Sequence, residues 1–345
     1  MPTAPPAPRT DTELEDRLSQ PTVGLLETLA QLPGDLLVLG AGGKMGPSLA
    51  RMARRAFQEL GRADRVLAVS RFGDQAVRAA LDASGVATVA ADLLAEGALD
   101  ALPEAPNLVF MAGQKFGTSG SPATTWAMNA LLPMLAARRY PAARTVVFST
   151  GNVYPLWPAA SAGPTEADPV GPVGEYAMSC LARERLYEHA SLTRGTPVAI
   201  VRLNYAVDLR YGVLVDIARR VHAGEPVPLA MGYANVLWQG DANAMALQCL
   251  ALATSPATVV NLTGPEKLSV RAVAEAFARR FGKAVRLEGT EAPDALLSDA
   301  SALLARLGPP TVPLATLLEW VAGWIEQGGR LLAKPTRFEA RDGRF

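Results

Sequence analysis

Apolar and polar residues form blocks along the chain that predict strands and helices in alternation. Short apolar runs of strand length occur at 36–39, 65–69, 86–90, 107–112, 144–148 and 197–203. Between them, apolar residues recur at helical spacing, as in 74–83, in 121–139 and in the segment that begins near Gly174. This alternation predicts an α/β fold, a doubly wound parallel sheet of the Rossmann type with right-handed crossovers. Ligands of such a sheet bind at the C-terminal ends of its strands.

The pattern also divides the chain into four parts. Residues 1–33 are predicted to be a disordered tail followed by a helical extension over 11–32 that Pro21 interrupts. Residues 34–204 are predicted to form the dinucleotide-binding domain, and 236–262 return to it through a helix capped by Asp241 and a strand at 258–262. Residues 205–235 and 263–329 predict a smaller mixed α/β substrate domain. The charged tail, 330–345, is expected to pack along the surface or to cross to another subunit.

The first strand runs into a glycine-rich turn with the spacing Gly40-x-x-Gly43-x-x-Gly46, which contains Lys44 and Met45. Pro47 follows at a position that suits the start of a helix, where its missing N–H costs nothing. A strand, a glycine turn and a helix N-terminus together bring bare backbone N–H groups to a phosphate. The spacing alone also fits an ordinary glycine-rich turn, but the strands and helices that follow favour a nucleotide site.

Composition excludes several classes of function. The formal net charge is zero, so nothing indicates a nucleic-acid or membrane-surface partner. The two cysteines lie far apart and the two histidines stand alone, so neither a metal site nor a Ser-His-Asp hydrolase is expected. No apolar stretch approaches the ~20 residues of a membrane span. Because the two cysteines are few and far apart in the sequence, we expect reduced, buried thiols in a cytoplasmic protein.

The ends of the second and third strands bear on the choice of cofactor. An acidic residue after the second strand would accept from the adenosine ribose and repel a 2′-phosphate. Here the position is Ser70 with Arg71 beside it, which favours NADP over NAD, although Arg71 could also be an ordinary surface arginine. Asp92 and Leu93 follow the third strand, where Asp92 could cap the next helix, lie near the adenine, or do both.

In their order and spacing, these and later motifs resemble the extended short-chain dehydrogenase/reductase family, in its NAD-dependent epimerase/dehydratase group. The resemblance covers about residues 34–328 and rests on Gly40-x-x-Gly43-x-x-Gly46, Asp92-Leu93, Phe148-Ser-Thr-x-x-Val-Tyr154, Tyr176-Ala-x-Ser, Arg202-Leu-Asn204, Asn261-Leu-Thr-Gly264 and Leu297-Ser-Asp299.

The resemblance implies roles for individual residues. Tyr176 would exchange a proton with a substrate hydroxyl or carbonyl, Thr150 would hydrogen-bond the same oxygen, and the nicotinamide would carry the hydride. Dimers are common in the family, through helices of the kind at 121–139 and 174–193. The residues expected at the cofactor are Gly40, Gly43, Lys44, Met45, Gly46, Ser70, Arg71, Asp92, Leu93, Ala112, Gly113, Tyr176 and Cys180.

The chain departs from the family motif Tyr-x-x-x-Lys, because Cys180 stands in place of the lysine. A neutral thiol cannot lower the tyrosine pKa as a cation does, and a thiolate would raise it. Lys115 could substitute as the catalytic cation, whereas Lys44 is expected to neutralise the pyrophosphate. Alternatively, a neutral Tyr176 still donates a proton during carbonyl reduction, or the protein binds cofactor without turnover. Arg183 and Arg185 are predicted to lie on other faces of the helix.

A second departure concerns the substrate. Family members that use nucleotide sugars commonly carry an arginine for the diphosphate, and the matching stretch 234–241 has none. A diphosphate needs cationic partners, so a free sugar, a sugar acid or another small polyol fits better. The expected substrate contacts are Thr150, Asn152, Asn204, Arg210, Trp238 and Gln239, with core packing as an equal alternative for Trp238.

Two functions therefore remain open at this point. The first is an NAD(P)-dependent oxidoreductase or epimerase that acts on a small hydroxylated carbohydrate, with Tyr176, Thr150 and Lys115 as catalytic residues. The second is a cofactor-binding sensor or scaffold in which Cys180 marks lost catalysis.

Overall fold

The computed structural model describes residues 6–115, 117–332 and 336–343, and strands and helices alternate through most of them. The strands are β1 (Leu36–Leu39), β2 (Val66–Ser70), β3 (Ala87–Ala90), β4 (Asn107–Phe110), β5 (Arg144–Thr150), β6 (Trp157–Pro158), β7 (Val198–Leu203), β8 (Ala206–Val207), β9 (Val227–Pro228), β10 (Tyr233–Asn235), β11 (Leu237–Trp238), β12 (Thr258–Leu262), β13 (Lys267–Ser269), β14 (Leu287–Glu288) and β15 (Asp294–Ala295). The α-helices are α1 (Asp11–Leu18), α2 (Val23–Ala30), α3 (Gly46–Glu59), α4 (Gln75–Ala83), α5 (Pro122–Trp126), α6 (Leu132–Arg139), α7 (Gly174–Arg194), α8 (Val213–Ala223), α9 (Gln239–Gln248), α10 (Val270–Phe281), α11 (Ser301–Leu307) and α12 (Leu314–Glu326).

A seven-stranded sheet with the order β12-β7-β5-β4-β1-β2-β3 forms the centre of the fold. Every pair of neighbours in it is parallel. The chain builds outward from β1 to β3 on one side and from β4 to β12 on the other, so the order reverses between β1 and β4. The predicted doubly wound parallel sheet is confirmed, and its switch point is where such folds bind ligands.

Helices cover both faces of the sheet. Leu36 and Val38 of β1 pack in one hydrophobic cluster with α3 and α9, whereas Leu37 and Leu39 pack in another with α6 and α7. Strands buried on both faces read as continuous apolar runs, which explains why the sequence pattern located them to within one or two residues.

Two local predictions are corrected by the structure. Asp241 does not cap a helix, because α9 already begins at Gln239; its carboxylate accepts hydrogen bonds from the Thr311 hydroxyl (2.6 Å) and the Val312 N–H (3.0 Å). The helix predicted over 121–139 is continuous but contains a π-helical turn, Ala127–Leu131, between α5 and α6.

The C-terminal half has a hydrophobic core of its own, built around α8, α10 and α12. Helix α1 packs into this core through Leu14 and Leu18, and α2 packs against α3 and α9, which cover one face of the sheet. In the described part of the C-terminal tail, Phe338 is buried in this core and Arg341 pairs with Asp294. That these parts behave as separate domains stays a prediction.

The N-terminal extension begins at Thr10, whose side chain caps α1, and residues 1–5 lie outside the described residues. Within the residues described, no helix combines the length and apolarity that a membrane span requires. The same part of the chain contains no group of three histidine, cysteine or acidic side chains suited to a metal ion.

Candidate functional site

The glycine turn after β1 depends on two of its glycines for steric reasons. Gly40 has φ of +92°, and a Cβ there would lie 2.4 Å from the backbone of Ala112 at the end of β4. A Cβ on Gly46 would lie 2.3 Å from the Ala41 carbonyl oxygen. These glycines let the turn lie against the neighbouring strand and let α3 start directly above it.

The ends of β2 and β3 lie beside this turn. A Cβ on Gly42 would lie only 2.4 Å from the Ser70 hydroxyl oxygen, so the end of β2 is in close contact with the turn. Arg71 is exposed. Leu93 is buried, and Asp92 accepts a hydrogen bond from the Leu94 N–H at 3.1 Å. Asp92 therefore organises a turn at this edge, and no regular helix follows it.

Tyr176, near the start of α7, makes side-chain hydrogen bonds with Thr150 and Cys180. Thr150 ends β5, and its hydroxyl also accepts hydrogen bonds from the backbone N–H (3.2 Å) and the side-chain amide (3.0 Å) of Asn152. Burial raises the pKa of Tyr176 and Cys180 raises it further, whereas Arg183 and Thr150 act in the opposite direction. Tyr176 is thus a neutral phenol next to the Thr150 hydroxyl.

Lys115 brings a cation to this pair from the segment that follows β4. Its Nζ lies 5.9 Å from the centroid of the Tyr176 ring. Burial lowers the pKa of Lys115 to about 8, and the nearby Cys180 partly opposes that effect. The structure therefore brings together Tyr176, Thr150, Cys180 and Lys115, which the sequence placed on three separate elements.

Arg183 corrects the prediction that it faces away from Tyr176. The side chain is buried, and its guanidinium donates to the Phe148 carbonyl (2.6 Å) and to Asn129 Oδ1 (2.9 Å). A Cβ on Gly113 would lie 2.6 Å from this guanidinium, so Gly113 makes room for it. Its position seven residues after Tyr176 puts both on one face of α7, a signal that the sequence contained. Arg185 is more exposed and pairs with Glu188.

Lys44 leaves the glycine turn and crosses to the segment after β7. Its Nζ donates to the Ala206 carbonyl at 3.0 Å and lies 4.6 Å from the centroid of the Tyr211 ring. Burial lowers the pKa of Lys44 to about 8. These contacts do not support the expectation that Lys44 neutralises the pyrophosphate.

Three residues expected to contact substrate instead hold the protein together. Arg210 is buried in ion pairs with Asp208 (2.8 Å) and Glu15 (2.7 Å). Trp238 is 2 % exposed and packs its ring edge-to-face on Trp320 at a centroid distance of 5.4 Å. Gln239 is fully buried; its amide nitrogen donates to the Ser48 hydroxyl of α3 at 3.0 Å, while its side-chain oxygen has no hydrogen-bond partner within the described residues.

Asn204 lies near Thr150 and has a buried side-chain nitrogen without a hydrogen-bond partner in the described residues. A Cβ on Gly151, the residue after Thr150, would lie 3.1 Å from both the Asn204 side chain and Ser298 Oγ. Asn204 Nδ2 and Ser298 Oγ are buried, and neither has a hydrogen-bond partner within the described residues. Buried polar groups are rarely left unpaired, so these two atoms are suited to a ligand. The sequence predicted Asn204 but not Ser298.

The profile of the NAD dependent epimerase/dehydratase family matches residues 36–240 of this sequence. The chain belongs to that family. No curated protein is similar enough to count as a match.

Solved structures share the fold of this family member at low sequence identity. MoeE5 in complex with UDP-glucose and NAD is 21 % identical, with a TM-score of 0.67 over 86 % of this chain and 99 % of MoeE5. DesIV, a dTDP-glucose 4,6-dehydratase from Streptomyces venezuelae, is 21 % identical, with a TM-score of 0.70 over 85 % of this chain and 97 % of its own. UDP-glucuronic acid 4-epimerase from Bacillus cereus is 17 % identical, with a TM-score of 0.69 over 85 % and 99 %.

The glycine turn of this epimerase/dehydratase family member fits a dinucleotide. A Cβ on Gly43 would meet only the Gly40 carbonyl oxygen, at 3.6 Å, so the protein itself leaves the space above Gly43 open. The N-terminus of α3 has no side-chain cap and therefore presents free N–H groups beside that space. Gly43, Met45 and Gly46 would hold the pyrophosphate there, and Ser70, Arg71 and Leu93 the adenosine.

We expect Gly43→Ala to fold normally and to lose cofactor. Its stability should be unchanged or raised by up to about 1 kcal/mol, because the native backbone tolerates alanine. Its NAD affinity should fall by about tenfold or more, because the methyl group occupies the open space. Calorimetric titration with NAD and a thermal melt measure the two effects. Gly40→Ala, where the methyl group meets backbone, is the contrasting control and should melt at a much lower temperature. Full NAD affinity in Gly43→Ala would show that the pyrophosphate binds elsewhere.

Proposed function

We propose that this protein is an NAD(P)-dependent oxidoreductase or epimerase that acts on a small hydroxylated carbohydrate, a sugar or a sugar acid. The observation that carries the proposal is the pairing of Tyr176 with Thr150, with Lys115 Nζ 5.9 Å from the tyrosine ring centroid, at the same sheet edge as the glycine turn. The family and its structural relatives, which bind NAD and sugar nucleotides, support hydride chemistry on a carbohydrate.

In this function Tyr176 exchanges a proton with the reacting oxygen of the substrate, and Thr150 hydrogen-bonds that oxygen. The bound nicotinamide supplies or accepts the hydride. Because burial raises the pKa of Tyr176, its neutral form dominates and is suited to donate a proton during carbonyl reduction. Lys115 favours the phenolate that donation leaves behind, since a nearby cation stabilises an anion.

The contacts of Arg210 support a small substrate over a nucleotide sugar. Its guanidinium is held by Asp208 and Glu15, so it is not available to a diphosphate. If a diphosphate displaced those carboxylates from Arg210, the fully buried Asp208 would lose its cation, which is costly.

The end of β2 supports NADP as the preferred cofactor. Arg71 is exposed next to Ser70 and no acidic side chain occupies either position, so a 2′-phosphate would meet a cation and no repelling carboxylate. NAD remains the alternative, and it is the cofactor in the relatives' structures.

A second candidate is a cofactor-binding sensor or scaffold without turnover, and Cys180 favours it. The thiol occupies the place of the family lysine and raises the pKa of Tyr176 in addition to burial, which opposes deprotonation. On this alternative the glycine turn would still bind cofactor.

The deciding experiment measures binding and turnover separately. Fluorescence titration gives the affinities for NADPH and NADH, and we expect NADPH to bind at least about tenfold tighter. Absorbance at the nicotinamide band then follows a panel of sugars and sugar acids in both directions. Saturable NADPH binding without turnover of any panel member would establish the sensor. Cofactor that stays with the protein through purification would favour an epimerase over a dehydrogenase.

We also propose that the protein forms a homodimer through α5, α6 and α7. Trp126 of α5, Leu131 of the π-helical turn and Met178 of α7 are exposed at 37 %, 52 % and 46 %, and large apolar side chains on neighbouring helices suit burial against a second copy. Sedimentation at micromolar concentration should give the mass of two chains. A single-chain mass at all concentrations would contradict this arrangement.

A further inference from the structure

Lys44 is a partly buried cation that the proposed reaction does not use. Its Nζ makes one hydrogen bond, to the Ala206 carbonyl, and faces the Tyr211 ring. An ammonium has three N–H donors, so this arrangement leaves donors for a further acceptor. No carboxylate of the described residues lies within ion-pair distance of it.

The charges around Lys44 compensate its positive charge only in part. Asp208 is the acidic group that acts on Lys44, but its carboxylate already accepts from the backbone N–H (2.6 Å) and the guanidinium (2.8 Å) of Arg210. Lys115 adds a second cation that acts on Lys44. Two of the five lysines in a chain that otherwise uses arginine thus lie close enough to act on each other, and one of them, Lys115, faces the Tyr176 ring.

We propose that Lys44 binds a carboxylate of the substrate, which makes the substrate a sugar acid or a similar polyol carboxylate. This inference rests on the proposed function, whose substrate class it narrows. A carboxylate would form a charge-assisted hydrogen bond with the ammonium. A neutral sugar would leave this partly buried charge without an anionic partner. The cofactor pyrophosphate has its own donors in the glycine turn, from which the Lys44 side chain turns away.

The pH dependence of binding follows from the same surroundings. Burial lowers the pKa of Lys44 to about 8; Asp208 raises it in part, while Arg210 and Lys115 lower it further, and the uncharged Tyr211 ring covers it. Lys44 is charged below pH 8 and loses its charge above it. Carboxylate affinity should therefore be highest below about pH 7 and fall as the pH rises through 8 and 9.

The test compares D-glucuronate with D-glucose as probes, because they differ in one carboxylate. Calorimetry with the NADPH-saturated protein at pH 7 should show glucuronate binding at least about tenfold tighter than glucose. Lys44→Met should remove that preference and leave glucose and NADPH affinities unchanged. Lys267→Met is the matched control, because Lys267 also donates to backbone carbonyls, of Ala159 and Ser161, but is exposed. It should keep the preference.

Several outcomes would overturn the inference. Equal affinity of the parent protein for the two probes is one, and a glucuronate affinity that does not fall between pH 7 and 9.5 is another; neither depends on a variant that folds. Weaker NADPH binding by Lys44→Met with glucuronate affinity unchanged would assign Lys44 to the pyrophosphate. If glucuronate binds but no substrate turns over, the proposed function fails while the role of Lys44 stands. If only neutral sugars turn over, the proposed function stands and the role of Lys44 fails.

Discussion

Replacing Tyr176 with phenylalanine should reduce turnover about a thousandfold and leave NADPH binding unchanged. A positioned proton donor contributes about 10²–10⁴-fold to such reactions, and the substitution removes only the hydroxyl that meets Thr150. The phenyl ring keeps its packing on α7, so the fold should not change. Steady-state reduction of the best sugar or sugar acid, with NADPH affinity measured in parallel, gives the result.

Tyr187→Phe is the matched control for this substitution. Tyr187 lies on the same helix, is fully buried, and its hydroxyl has no hydrogen-bond partner within the described residues. Removing that hydroxyl should leave turnover intact. Equal rates for the parent and Tyr176→Phe would show that another group transfers the proton.

Lys115→Met separates the role of the cation from that of the phenol. Lys115 is charged below its pKa of about 8 and supports Tyr176 there, so the parent rate should fall as the pH rises through 8. The methionine variant should be slower by about 10–100-fold at pH 7 and should lack that inflection. A parent profile that is flat from pH 7 to 9.5 would exclude Lys115 from this role.

The sequence was sufficient to predict the sheet and the positions of Gly40, Thr150 and Tyr176 at one edge of it, because both depend on local patterns. The central strands of the sheet are buried on both faces and read as apolar runs between turns, whereas the edge strand β3 is largely exposed. Gly40, Thr150 and Tyr176 follow strands or open a helix, and the parallel fold brings such positions to one edge. The same reasoning placed Lys115 beside Tyr176, although the two lie 61 positions apart.

The sequence could not show that Arg210, Trp238 and Gln239 are held within the protein, because each has a partner that is distant in the sequence. Arg210 is held by Glu15 of the N-terminal extension, and Gln239 by Ser48 of α3. Asp208, two residues before Arg210, also holds its guanidinium, but the sequence alone does not show that the two side chains pair, and nothing local to Gln239 shows that its amide nitrogen is bonded. Ser298 was missed for the opposite reason, since only the folded structure reveals that its hydroxyl has no partner in the described part of the chain.

A buried ion pair beneath the site gives the second large expected effect. Arg202 of β7 and Glu184 of α7 are 4 % and 0 % exposed, and their closest approach is 2.7 Å. Glu184 also accepts from the Ser149 hydroxyl, and Arg202 donates to the Tyr154 hydroxyl at 2.8 Å. Arg202 belongs to a motif of the family, whereas no role for Glu184 was predicted from the sequence.

Arg202→Met should destabilise the protein by about 3–5 kcal/mol, because it leaves the carboxylate of Glu184 buried without its cation. Glu184→Leu should have a cost of similar size for the same reason. The double variant should be more stable than the sum of the two losses predicts, since replacing a whole buried ion pair with apolar groups is often nearly neutral. Urea unfolding of the four proteins measures these differences.

The effect on turnover should follow from the position of the pair. Ser149 precedes Thr150, and Arg202 lies two residues before Asn204, so the pair fixes the strand ends that carry both side chains. The double variant should therefore regain stability without regaining full turnover. The Ser149 hydroxyl then lacks its hydrogen bond to Glu184, which holds the strand end that carries Thr150. Additive losses of stability in the double variant would contradict the ion-pair explanation. Full turnover in that variant would show that packing alone positions Thr150.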